Sequence, residues 1–135
     1  MKVLMIIAFL LSVLGGYCQD TTSRSVSSKG VASFYANKFN GRKTCSGQRF
    51  SNDSLTAAHK HLKFGTYVLV RNLKNDSTVI VRINDRLPRS SKRSIDLTQK
   101  AAKQLNFMKA GITKVEITVL DSSNVLNSNK DTAIK

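Results

Sequence analysis

The sequence predicts a mainly β fold, a small barrel of short strands with one or two short helices. Three observations point there. Two runs rich in β-branched residues, 66–71 and 77–83, flank a polar turn and read as a hairpin. Residues 115–120 alternate with period two, as a half-buried strand does. Short strands accompanied by so little helical pattern suit a small closed barrel.

Taken in chain order, the first element lies outside the fold. Residues 1–18 read as a secretory signal peptide: Lys2 gives a positive start, residues 3–14 are apolar except for Ser12, and Gly16 and Cys18 supply the small residues before the cut. The apolar run falls well short of the roughly 20 residues that span a bilayer. The expectation is export to the periplasm or cell envelope, with no transmembrane segment in the mature chain. Cys18 opens a second reading as the lipid-bearing first residue of a lipoprotein, against which stands the bulky Tyr17 before it. Residues 19–28, rich in Ser and Thr, read as a flexible linker. Residues 121–135 read as a disordered tail, which leaves 29–120 as one folded domain.

Inside that domain, Gly30-Val31-Ala32-Ser33-Phe34-Tyr35 is a short β-like run. The hairpin 66–83 turns at Asn75-Asp76. Residues 94–97 form a short strand that runs into Thr98, an N-cap for a helix over 99–107 with Ala101, Ala102 and Leu105 at helical spacing. Gly111 closes the connection to the last strand. If one of Phe34 and Tyr35 faces the core, strand alternation sends the other outward.

The chain carries 22 Lys and Arg against 8 Asp and Glu, a net charge of +14. Such an excess implies an anionic partner or surface. Export argues against nucleic acid as that partner, as does the lack of Trp and of aromatics interleaved with the basic residues. Stem-peptide carboxylates of the bacterial wall and phosphates of outer surfaces both fit the charge. Two His and two Cys are too scattered for a metal site, and no cofactor is implied. Removal of Cys18 with the leader leaves Cys45 without a partner for an intramolecular disulfide; it reads as a small residue packed in the barrel.

Five stretches carry the chemistry. They are Gly30 to Tyr35; Gly41-Arg42-Lys43-Thr44-Cys45-Ser46-Gly47-Gln48-Arg49-Phe50; Leu55-Thr56-Ala57-Ala58-His59 with Leu62-Lys63-Phe64-Gly65-Thr66; Val81-Arg82-Ile83-Asn84-Asp85-Arg86-Leu87-Pro88; and Arg93-Ser94-Ile95-Asp96-Leu97-Thr98 with Ala101-Ala102. In this order and spacing they resemble the rare lipoprotein A family, septal-ring lytic transglycosylases built on a six-stranded double-psi β-barrel. The resemblance implies a groove for peptidoglycan glycan strands, a monomer, and cleavage of the bond after N-acetylmuramic acid. The sugar's own C6 hydroxyl would close on C1 to leave a 1,6-anhydro end, so one acid/base residue serves both half-steps, unlike the two-carboxylate hydrolases. It assigns the acid/base role to Asp85 and places His59 beside it, to orient the carboxyl or to hydrogen-bond the sugar. Gln48, Asn84, Arg86 and Asp96 would contact the strand. Tyr35 would stack on a sugar ring. Asp96 reads equally as a second carboxylate or as an anchor for the turn into the helix.

The pattern also departs from the family. Gln48 stands where the family carries Glu; it can hydrogen-bond a sugar but cannot titrate. Leu87 stands where the family has a Gly, so that turn either differs or accepts a negative φ. With that Glu gone and Arg82, Arg86, Arg89 and Arg93 nearby in sequence, Asp85 is expected to be ionised at neutral pH. A weak or acid-shifted enzyme, or a barrel that binds glycan without cutting it, follows from that expectation.

Overall fold

A computed structural model describes residues 25–121, so the expected leader, most of the linker and the tail lie outside the described residues. Six strands close into a barrel in the order β1-β5-β2-β4-β3-β6. They are β1 (Ser27–Phe34), β2 (Thr56–His59), β3 (Tyr67–Asn72), β4 (Thr78–Arg86), β5 (Ile95–Leu97) and β6 (Thr113–Leu120). A 3-10 turn spans Asn37–Phe39, and one helix, α1 (Gln99–Gln104), joins β5 to β6. The pairs β1/β5 and β2/β4 are parallel and the other four antiparallel. The mainly β barrel with one helix bears out the expected fold class.

Alternation explains the interior. Val68 and Val70 on β3, Val79, Val81 and Ile83 on β4, Ile95 and Leu97 on β5, and Val115 and Ile117 on β6 all point inward and are buried. Ala101, Ala102 and Leu105 close one side of the same cluster. Thr98 caps α1 as expected, its hydroxyl accepting from the Ala101 N–H. The helix stops at Gln104, short of the expected 107, because Asn106 adopts φ 55° and turns the chain away.

Two further differences have local causes. β1 begins at Ser27 rather than at Gly30, because Ser27, Ser28 and Lys29 pair with Thr118, Ile117 and Glu116 of β6. Ladder pairing thus overrides a composition that reads as linker. β2 was not expected as a strand at all. Its sequence, Thr-Ala-Ala-His, has a single β-former in Thr56, and it is held by β4 on one side and β5 on the other.

Gly30 is required by close approach. A Cβ there would lie 2.6 Å from Cβ of Ser94, with the Ser94 hydroxyl closer still. Gly30→Ala should cost about 1–3 kcal/mol. Pairing it with Ser94→Gly should recover much of the loss in a denaturant titration. Equal stability of Gly30→Ala and wild type would contradict this packing.

Candidate active site

The site begins with an irregularity in β4. Ala57 of β2 is in register with Ile83, but Ala58 is in register with Asp85, so Asn84 is an extra residue in the parallel β2/β4 pair. Val79, Val81 and Ile83 face the core, and strict alternation would send position 85 inward after them. The inserted Asn84 reverses the phase and turns Asp85 to the outer face; re-aiming a side chain in this way is a known use of bulges. Across the strands, Ala58 is also in register with Asp96 on β5, and Asp96 with Ser33 on β1. One outer row therefore reads Ser33, Asp96, Ala58, Asp85. With neighbouring strands about 4.8 Å apart, the two aspartates are carried roughly 10 Å apart at the backbone.

Asp85 is half-buried and well provided with donors. Its Oδ1 accepts from the backbone N–H of Cys45 and from that of Arg86, both at 2.9 Å. Its Oδ2 accepts from the Tyr35 hydroxyl at 2.5 Å. Burial pushes the carboxyl up, but the hydrogen bonds from Cys45, Tyr35 and Arg86 outweigh it, and the net shift is below the usual carboxylate range. The expected ionisation of Asp85 is thus supported with a different cause. Hydrogen bonds hold the charge rather than the four arginines, two of which are directed elsewhere. Arg93 grips Asp96, at 2.9 Å from Nε and 3.1 Å from Nη2. Arg86 donates to the carbonyls of His59 and Leu62 and stacks on Phe64.

Tyr35 and Phe34 divide as alternation requires. Phe34 packs edge-on against Phe107 beside the core. The Tyr35 ring is held between Phe39 and Phe50, and its hydroxyl reaches from the end of β1 across β5 and β2 to Asp85. The carboxylate and burial push the Tyr35 phenol far above its ordinary range, so it remains a donor. Burial is the larger of these causes.

His59 lies on β2 in register with Arg86 and Ile95, one position beyond the row that holds Asp85. It makes no hydrogen bond to Asp85. Its Nδ1 instead accepts from the N–H groups of His61 and Leu62, both at 3.3 Å, which places the ring proton on Nε2. Burial, with His61, Arg86 and Lys60 adding to it, lowers its pKa to about 4. The imidazole is therefore neutral at pH 7. In the unfolded chain it would protonate near 6.5, so the folded state gains stability as pH rises from 4 to 6.5. Asp85, whose folded pKa is depressed, gives the same sign only below its ordinary value of 3.8. A gain of about 1–3 kcal/mol between pH 4 and 6.5, absent in His59→Gln, is expected from denaturant titrations. A flat profile in the wild type would overturn the neutral assignment.

The remaining expected residues fall into separate groups. Gln48 is exposed, and its Oε1 accepts from Arg82 at 2.9 Å and from buried Asn84 at 3.3 Å. This fixes the amide near the bulge without touching Asp85. Asp96, 8% exposed, is held by Ser33 and Arg93. These bonds favour its anchoring role, while its place in the row keeps it on the same face as Asp85. Leu87 is buried and takes no positive φ, so the turn accommodates it. Cys45 corrects an expectation: it is exposed rather than packed in the barrel. Its N–H and its thiol both face the Asp85 carboxylate, which pushes that thiol up and leaves it protonated.

Four contributors were missed from the sequence: the Cys45 amide, Ser33, Arg93 and the small Ala58 between the two aspartates. Only Arg93, three residues before Asp96, carried a local signal.

Comparisons with known proteins bear on the family and the fold. The family model described as lytic transglycolase matches residues 27–117. The chain is 51% identical over 108 residues to the endolytic peptidoglycan transglycosylase RlpA of Pasteurella multocida, covering 78% of this chain and 34% of the relative. It is 49% identical over 98 residues to the protein of the same name from Haemophilus influenzae, covering 73% and 34%. The chain thus spans about a third of the length of these curated relatives. Among solved structures, the apo expansin of Clavibacter michiganensis superposes with a TM-score of 0.59 at 20% identity, over 72% of this chain and 52% of that one. A Streptomyces papain inhibitor gives 0.57 at 19% identity, over 71% and 96%. At such identities these two share the fold.

Proposed function

This chain belongs to the lytic transglycolase family of double-psi β-barrels, and from that premise we propose that it cleaves peptidoglycan glycan strands with Asp85 as the acid/base. The observation that carries the proposal is the turn of Asp85 to the outer face by the extra residue Asn84.

The step begins with protonated Asp85 giving its proton to the oxygen between muramic acid and N-acetylglucosamine. The C6 hydroxyl of the muramic residue then attacks C1, and the Asp85 carboxylate takes up its proton. The residue is regenerated, the strand is cut, and no water is consumed. The three donors to Asp85 suit the second half-step, since they stabilise the carboxylate. They oppose the first. A glycan laid over the row removes water from the carboxyl and raises its pKa toward the working range. His59 has no hydrogen-bond partner at Nε2 among the described residues, and no buried polar side-chain atom there lacks one. Its Nε2–H therefore opens to the surface, where it is placed to donate to a sugar hydroxyl. Gln48 offers its amide NH2 near the bulge, and Asp96 with Arg93 offers a second polar anchor on the same face. Export to the cell envelope is the setting this reaction requires; the leader that would direct it lies outside the described residues.

Tyr35→Phe removes one of the three donors. The alkaline limb of the rate profile, where protonated Asp85 is lost, should move to higher pH, because the carboxyl then holds its proton longer. An unchanged limb would show that Tyr35 does not tune the acid.

The test of reaction type is digestion of purified sacculi in H₂¹⁸O. New ends should be 1,6-anhydro and free of ¹⁸O. Reducing ends carrying ¹⁸O would identify a hydrolase. Gln48, where the family pattern has Glu, favours a second reading as a glycan-binding barrel without activity; binding to sacculi with no soluble fragments released would establish it.

A further inference from the structure

The apolar face of a pyranose ring packs well on an exposed aromatic ring, and Tyr35, the residue expected to do this, is committed elsewhere. Its ring is held between Phe39 and Phe50, and its hydroxyl is spent on Asp85. Two other aromatics face outward nearby. Four large hydrophobic side chains are exposed among the described residues, and the two aromatic ones, Phe64 and Tyr67, at 43% and 42% exposure, line one cleft. Single exposed apolar residues need no explanation; two rings on one cleft do. Lys63, Leu120 and Asp121 help to wall it, and its volume of about 370 Å³ suits a small ligand.

The cleft adjoins the row of Asp85 on its β3 side. Val68 and Val70 are buried, so alternation turns Tyr67 outward, in register with Arg82 of β4. The pairing with β4 continues ahead of β3. The Gly65 N–H donates to the Ile83 carbonyl at 2.7 Å, and the Ile83 N–H donates to the Thr66 carbonyl at 2.8 Å. Phe64 is thereby carried alongside the end of β4 that holds Asp85 and Arg86. The Arg86 guanidinium lies over its ring, 4.3 Å from the centre, and fixes its orientation.

Resting on the proposed reaction, we infer that Phe64 and Tyr67 form a sugar-stacking subsite on the β3 side of Asp85, which takes the apolar face of a pyranose ring of the glycan strand beyond the bond that is cut. The row from Ser33 to Asp85 spans β1, β5, β2 and β4. One further strand spacing, about 4.8 Å, brings the next sugars over Phe64 and then Tyr67. Stacking there removes apolar surface from water, and the ring that Arg86 already holds loses little freedom on binding. Lys63 and Asp121 flank the rings with polar groups for sugar hydroxyls. The contact lies away from the reacting atoms and is made equally before and at the transition state. Its loss therefore raises KM and leaves kcat alone.

The test uses a ladder of oligosaccharides of alternating N-acetylglucosamine and N-acetylmuramic acid, from disaccharide to octasaccharide. The Asp85→Asn chain measures binding by calorimetry, and the wild type measures cleavage. Affinity should rise with length and level off once the cleft is filled. Adding Tyr67→Ala to Asp85→Asn should weaken binding of the oligosaccharides that reach the cleft by about three- to tenfold and leave shorter ones unchanged. Phe64→Leu, which keeps bulk but loses the flat ring, should do likewise, while Tyr67→Trp should keep the original affinity. With Asp85 in place, Tyr67→Ala should raise KM for long strands by the same factor with kcat little changed. Unchanged binding in either Tyr67→Ala or Phe64→Leu, or an equal loss at every length, overturns the inference. So does self-association of the chain that disappears in Tyr67→Ala while sugar binding stays, since the cleft would then belong to a second copy. Failure of the wild type to cut any length would overturn the proposed reaction alone. A length step that depends on Tyr67 and Phe64 would still uphold the subsite.

Discussion

Asp85→Asn should lower cleavage of glycan strands by about 10²–10⁴-fold, the usual worth of a positioned general acid/base. The substitution is close to isosteric and its local bonds survive. The amide oxygen still accepts from the Cys45 and Arg86 N–H groups, and the amide nitrogen faces the Tyr35 hydroxyl, which can accept as well as donate. Stability should therefore change by no more than about 1 kcal/mol. Steady-state rates on solubilised strands, with a denaturant titration beside them, separate chemistry from folding. Retention of wild-type turnover would remove Asp85 from the mechanism. A loss of rate accompanied by unfolding would assign the residue to structure instead.

The largest stability effect is expected at Ile83. This side chain is fully buried, sits in register with Ala57, and immediately precedes the extra residue that sets the direction of Asp85. Its backbone is also committed, with the N–H donating to Thr66 at 2.8 Å and the carbonyl accepting from Gly65 at 2.7 Å. The backbone cannot easily collapse into the space left by truncation. Ile83→Ala should cost about 2–5 kcal/mol, a large share of the 5–15 kcal/mol typical of a domain. Ile83→Val should cost about 0.5–1.5 kcal/mol. If both variants unfold at the wild-type denaturant midpoint, position 83 does not anchor the barrel.

The strands that announce themselves in the sequence are those whose side chains do the work. β3, β4 and β6 are rich in Val, Ile and Thr and alternate cleanly, so their extent was readable within a few residues. β2 was not readable, because two alanines and a histidine are held in place by the ladders on both sides. The start of β1 is likewise made by its partner: Ser27 to Lys29 look like linker and are strand only because β6 pairs with them.

The same division runs through the site. Asp85, His59, Gln48, Tyr35 and Asp96 could be picked out by motif. Their mutual geometry could not, because it depends on one unpaired residue in a parallel ladder, which has no composition of its own. The charge state of Asp85 shows the consequence. Neighbouring arginines in the sequence suggested cationic stabilisation, whereas in the fold Arg86 and Arg93 turn to other partners and the backbone of Cys45 does much of the holding.

The most direct test of the outward turn of Asp85 is a crystal structure of Asp85→Asn with a bound tetrasaccharide of alternating N-acetylglucosamine and N-acetylmuramic acid. The strand should lie across the row from Ser33 to position 85, with the glycosidic oxygen after muramic acid within about 3.2 Å of the new amide. A sugar seated on another face of the barrel, or a side chain at position 85 directed into the core, would contradict it.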